Sequence, residues 1–157
     1  MSKNVAGPLV LVKSTMNSRQ YMDILEEHLL PFAKDNLSPG WFLYQDNSPI
    51  HKSKLLMGQT VKLSKGEKAH LSGWFAKNQV SLIKAPPFSP DLNVIENLWA
   101  YAKTKLRGNH FRTKLELWYY MRKVWRSIRR EILQELVDSM PRRIKDIISA
   151  KGGPIKY

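Results

Sequence analysis

The chain has 157 residues, 43% hydrophobic and 25% charged, which suffices for one ordinary domain with a core and is too apolar for a disordered segment. No run is long and apolar enough to span a bilayer or to serve as a signal peptide. Cys is absent, which excludes disulfides and thiolate zinc sites, so any metal must be held by oxygen or imidazole.

The net charge of +13 is lopsided: residues 1–102 carry 11 Lys/Arg against 8 Asp/Glu, whereas residues 103–157 carry 15 against 5. A basic C-terminal third suggests a polyanion partner, nucleic acid being the commonest, and the plainer alternative is a solvated basic surface.

In chain order, "PLVLVK" (residues 8–13) reads as a short strand of β-branched and aliphatic residues. Asn17 with Gln20 three positions on forms a capping-box pattern. The apolar stripe that follows, Tyr21, Ile24, Leu25, His28, Leu29 and Phe32, predicts a helix packed on one face, with His28 read as a core-edge histidine rather than a ligand. After the turn "NLSPG", the run "WFLYQ" (41–45) has the unbroken apolarity of a strand covered on both faces. "VSLIK" (80–84) predicts a further strand, ended by Pro86-Pro87, and "GQTVKLSKGEKAH" between the two reads as an exposed loop. Strand, helix, strand, connector, strand implies an α/β sheet with at least one parallel pair.

"SPDLNVIENLWAYAKTKLRG" (89–108) predicts a helix capped by Ser89 or Asp91 and ended by Gly108, with Ile95, Leu98, Trp99 and Ala102 inward. A second amphipathic helix is expected over about residues 113–137. It turns Leu117, Met121, Val124, Trp125, Ile128 and Ile132 inward and Arg122, Arg126, Arg129 and Arg130 largely outward. A last short helix begins at Ser139 and ends before Gly152-Gly153.

Asp46 follows the strand "WFLYQ", and sites in α/β sheets gather at the carboxyl ends of strands. Glu96 lies in the first turns of the helix after the next strand, so the two carboxylates could converge at one edge of the sheet. Paired carboxylates without Cys suit Mg²⁺ or Mn²⁺, ions that activate a nucleophile and stabilise the leaving oxygen in phosphoryl transfer. An Asp ending a strand and a Glu answering a helix dipole would look the same on spacing alone.

The local sequences carry more. "WFLYQDNSPIHKS", "PPFSPDLNVIENLW", "LVDSMPRRIKDIISAKGGPIKY" and the upstream "MNSRQYMDILEEHLLPFA" together resemble the mariner superfamily of cut-and-paste DNA transposases, in the right order and over nearly the whole chain. The resemblance implies a ribonuclease-H-like, integrase-type mixed sheet flanked by helices. It also implies a DDE triad holding Mg²⁺ or Mn²⁺, in which Asp46 is the second acid and Glu96 the last. Asn47 and His51 match motif positions beside that site and are expected to support it, His51 being equally readable as a plain turn residue. Double-stranded DNA is the implied partner, contacted by Arg122, Lys123, Arg126, Arg129 and Arg130 through its phosphates. Trp118 and Trp125 are candidates for stacking on bases, although helical spacing favours core packing for Trp125. A homodimer and a nuclear location go with the family, and no membrane or small-molecule cofactor does.

Two departures qualify the match. The acids before Asp46, namely Asp23, Glu26, Glu27 and Asp35, fall in or just after the first helix, so none ends a strand. The family's first Asp and first two strands are therefore expected to be missing. Asp46 and Glu96 are also 50 positions apart, longer than the family's usual interval, with the excess near residues 56–73. The expectation is one partial catalytic domain over 1–157: a sheet/helix core at 8–108, that insertion, and basic helices at 109–157. Such a chain should be inactive alone and marginally stable, with apolar faces of "PLVLVK" and "WFLYQ" left exposed. A non-catalytic DNA-binding or assembly module is the alternative.

Overall fold

Asn17 starts the first helix as its pattern predicts. Its side chain accepts from the backbone N–H groups of Arg19 and Gln20 (3.0 and 2.9 Å), and Gln20 Oε1 accepts from the N–H of Asn17. In a computed structural model of the chain, describing residues 1–62, 68–87, 89–153 and 155, this helix opens one of two compact units. One unit is Val12–Pro87; the other joins Met1–Leu11 to Phe88–Tyr157.

In the first unit, α1 (Ser18–Ile24) runs through a π-helical turn (Leu25–Leu29) into α2 (Leu30–Asn36). The wider turn shifts the phase of the apolar stripe. Met22, Leu25 and Ala33 are consequently the buried positions, while Tyr21, Ile24, His28, Leu29 and Phe32 are only half-buried. Strand β1 (Phe42–Tyr44) pairs in parallel with β4 (Ser81–Ile83), in register Phe42–Ser81, Leu43–Leu82 and Tyr44–Ile83, which is the parallel pair anticipated.

A parallel pair needs a long crossover. Here it runs through a 3₁₀ turn (Pro49–Lys52), α3 (Lys54–Met57), β2 (Gly58–Lys62), β3 (Lys68–Ser72) and α4 (Trp74–Lys77). The stretch expected to be an exposed loop is thus an antiparallel hairpin, with Gly58 opposite Ser72 and Lys62 opposite Lys68; residues 63–67 lie outside those described. The neck of the hairpin is glycine by necessity. Gly58 has φ +86°, and a Cβ on Gly73 would collide with the backbone of Gly58 and Leu56. This close approach lets Leu56, Trp74 and Phe75 on either side of the hairpin join Met22, Leu25 and Val80 in the unit's core.

The second unit is helical: a 3₁₀ turn (Pro90–Leu92), α5 (Ile95–Leu106), α6 (Lys114–Arg126), α7 (Arg130–Asp138) and α8 (Met140–Ser149). Leu98, Trp125 and Leu133 are its buried centre.

Three expectations change here. The helix read from residue 89 begins at Ile95 instead, with no side-chain cap. Asp91 turns inward, Oδ1 accepting from the N–H of Leu92 at 3.1 Å. The single helix expected over 113–137 is two, because Ser127 Oγ bonds back to the carbonyl of Val124 (2.8 Å) and the chain turns before Arg130. Leu117, read as inward, is exposed.

Residues 8–13 are not a strand either. Met1, Ala6 and Leu9 pack on the helical core, and Gly7 accepts from the indole of Trp125 at 2.9 Å. Lys3 pairs with Asp138 (2.6 Å), and Asn4 with Arg130. A strand needs a ladder partner; the arm's contacts, those of Gly7 and Leu9 among them, are made to helices instead. Leu11 and Val12, at its end, stay exposed, as does Phe42 at 64%.

Candidate active-site carboxylates

Asp46 stands two residues beyond β1, where the chain must leave the sheet. The tip is tied down by Asn47, whose Nδ2 donates to the carbonyls of Ala85 (2.9 Å) and Pro86 (3.2 Å) just past β4. One side-chain amide thereby fixes the carboxyl ends of both parallel strands against each other. Asp46 Oδ1 accepts from the N–H of Ser48 at 2.9 Å, closing an Asx turn, and lies 2.9 Å from His51 Nδ1. The two side chains differ in environment. His51 is 13% exposed on its 3₁₀ turn, whereas Asp46 is 66% exposed, so its carboxylate faces solvent from a fixed base.

His51 is itself seated. The Tyr21 ring lies 4.3 Å from its imidazole, and the Tyr21 hydroxyl donates to Gln45 Oε1 at 2.7 Å. Burial, and secondarily the negative charge of Asp46, push the Tyr21 phenol up to about 12. Tyr21 was legible in the sequence only as a stripe residue; nothing in its spacing marks it as a neighbour of the "QDN" turn. Its link to His51 carries the support anticipated for Asp46 one residue deeper.

Glu96 belongs to the helical unit. It is exposed in the first turn of α5, with its N–H donating to the carbonyl of Asn93 (3.0 Å), and there it complements the helix dipole. Asp46 and Glu96 thus fall in different units, each held by its own surroundings. Hard divalent ions take several oxygens together. Asp46 offers such an oxygen, but among the described residues no group of three or more His, Asp or Glu could hold a metal ion. The described donors do not by themselves make a metal site.

The basic residues lie on α6 and α7. Arg122 sits 5.9 Å from the Trp118 ring, Lys123 and Arg126 are exposed near the end of α6, and Arg129 precedes α7. Arg130 is engaged by Asn4 at 2.8 and 3.1 Å. Trp125 is a core residue: it is buried, 4.9 Å from the Trp99 ring, and bonded to Gly7. The sequence reading missed Arg143, a buried cation whose guanidinium meets Asp91, Asn97 and Ser139.

The chain that carries these residues has matches among known proteins. The DDE superfamily endonuclease profile matches residues 2–118, across both units. This chain belongs to that family. Among curated relatives, the Tcb1 transposable element transposase of Caenorhabditis briggsae is 36% identical over 151 residues, covering 96% of this chain and 50% of its own length. The Tc1 transposable element transposase of Caenorhabditis elegans is 33% identical with the same coverage. The chain therefore spans about half the length of the curated relatives it matches. Among solved structures, the Mos1 transposase catalytic domain with Raltegravir and Mn superposes with a TM-score of 0.73 at 15% identity, covering 96% of this chain and 73% of that one. Its counterpart with Mg gives 0.71 at 14% identity. At that identity the likeness establishes fold, and the fold of this DDE-family chain is the ribonuclease-H-like one.

Proposed function

We propose that this DDE-family chain is part of a transposase catalytic domain whose chemistry is metal-dependent cleavage and transfer of DNA strands. In this reading Asp46 and Glu96 are two of its acids. The observation that carries it is the fixed presentation of Asp46: an exposed carboxylate on a strand end pinned by Asn47, His51 and Ser48, in a chain matching a DDE endonuclease profile. Mg²⁺ or Mn²⁺ is the fitting ion for such oxygens. Asn47 positions the strand end and His51 orients the carboxylate.

Arg122, Lys123, Arg126 and Arg129 contact DNA phosphates on this reading, a sequence-independent and salt-sensitive contribution. Arg130 contributes less because Asn4 holds it. A nuclear location goes with action on chromosomal DNA in this reading, and pairing with a second copy belongs to the same proposal.

The chain alone is inactive in this reading, because none of the acids before Asp46, namely Asp23, Glu26, Glu27 and Asp35, ends a strand as the first Asp of a DDE triad would. The test is nicking of supercoiled plasmid by the purified chain in Mg²⁺ and in Mn²⁺, beside measurement of DNA retention at rising salt. Salt-sensitive retention without nicking is expected. Nicking that disappears in Asp46→Ala would overturn the inactivity, and the absence of retention at low salt would overturn the DNA-binding part.

A further inference from the structure

Arg143 is only 3% exposed, and a buried guanidinium persists only where its donors are matched. Its Nε donates to Ser139 Oγ one turn back (2.8 Å), Nη1 to the carbonyl of Asp91 (2.9 Å) and Nη2 to Asn97 Oδ1 (3.1 Å). Its neighbour Arg142 makes the contrast, pairing with Asp146 at the surface (3.3 Å) with 60% of its side chain exposed. Of the two arginines in the "MPRR" motif, one is a surface ion pair and the other joins three elements.

The partners on the far side of that join are not scattered. Asp91 is the middle residue of the 3₁₀ turn before α5, and Asn97 lies in the first turn of α5; the two bracket Glu96 in the chain. The α5 N-terminus has no side-chain cap of its own, so this stretch takes its fixed geometry from elsewhere. A planar fork with set directions supplies it, since each donor reaches one partner only when the turn and the helix are in one arrangement.

We infer that Arg143 is a positioning residue for Glu96: α8 latches the turn and the first helical turn on either side of the carboxylate and so sets where Glu96 is presented. The inference rests on the proposed role of Glu96 for its functional meaning, whereas the latch stands on the three hydrogen bonds.

The test is amide hydrogen exchange by NMR on the full chain, comparing Arg143→Met, Arg143→Lys, Asn97→Ala and Glu96→Gln. The informative amides are those of Leu92, Asn93, Glu96 and Asn97, bonded locally to Ser89, Pro90, Asn93 and Val94. Exchange at these four should rise roughly 10- to 100-fold in Arg143→Met, the factor that losing a charge-assisted hydrogen bond supplies. The rise should be smaller in Asn97→Ala and partly reversed in Arg143→Lys, while the amides of Ala102 and Val124 keep their protection. Three-bond couplings should report a broadened Glu96 χ1 distribution in the same variants, which a residue that merely fills the core would not cause. Glu96→Gln should leave the exchange pattern unchanged.

Unaltered exchange at the four amides in a folded Arg143→Met or Arg143→Lys chain would overturn the latch. So would an equal loss at Ala102 and Val124 in Asn97→Ala, which would make the network a general core element. Mg²⁺-dependent cleavage that persists in Glu96→Gln, once the chain is joined to the upstream part of a relative's transposase, would instead count against the catalytic role of Glu96 and leave the latch standing.

Discussion

The two units present their acids by different means. Asp46 is fixed by residues next to it in the chain, Asn47, Ser48 and His51, with Tyr21 behind the histidine. Glu96 is carried by a helix whose start is held from about 50 residues away, by Arg143 on α8. One carboxylate is positioned by local turn chemistry, the other by tertiary packing. The contrast teaches which residues matter: for Asp46 they lie in its own motif, and for Glu96 in another motif altogether. The C-terminal "SMPRR" run thereby has a physical role that its charge alone would misassign to DNA.

The largest effects should come from the cores that support these two arrangements. Leu56 and Leu98 are both fully buried, one in each unit. Replacing either with Ala should cost about 2–5 kcal/mol, measured by urea unfolding. Leu56→Ala should lower exchange protection first around Met22 and Trp74, and Leu98→Ala first around Trp125 and Leu133. The same loss everywhere from either substitution would erase the distinction between the units. Gly73→Ala should cost roughly 1–3 kcal/mol through crowding at the hairpin neck, read as a lowered melting temperature. An unchanged melting temperature would show that the neck relaxes freely.

Smaller effects sharpen the Asp46 side. Asn17→Ala removes an N-cap and should cost about 1 kcal/mol, seen as fraying of α1. Tyr21 adds a pH dependence. Its folded pKa is raised above the ordinary value of 10.0 to about 12, so its contribution is complete below pH 10 and is lost as pH rises towards 12. Tyr21→Phe should remove that alkaline loss from a stability-versus-pH curve, and an unchanged curve would mean that other groups cause it.

Much of this was legible in the sequence, for physical reasons that can be named. The Asn17–Gln20 capping box, the parallel strands around "WFLY" and "SLI", and the last helix rest on short-range chemistry, and all are present. The arm at 8–13 misleads because β-branched residues suit a strand only when a ladder partner exists; here the helices supply partners of another kind. The hairpin was hidden because its strands lack apolar alternation and depend on two glycines approaching closely. The break between α6 and α7 turns on one serine bonding back to Val124. At the candidate site, Asp46 and its neighbours could be read from their motif. Tyr21 and Arg143 could not, since a stripe tyrosine and one of two adjacent arginines acquire their roles only through tertiary contact.

The account's central claim is that Asp46 and Glu96 are the catalytic carboxylates of a DDE strand-transfer domain. The most direct measurement joins the whole chain, its N-terminal arm included, to the upstream part of a relative's transposase and assays Mg²⁺-dependent nicking of DNA carrying that relative's element ends. The account predicts cleavage by this chimera and its loss in both Asp46→Ala and Glu96→Gln. Cleavage that persists in either variant would contradict it.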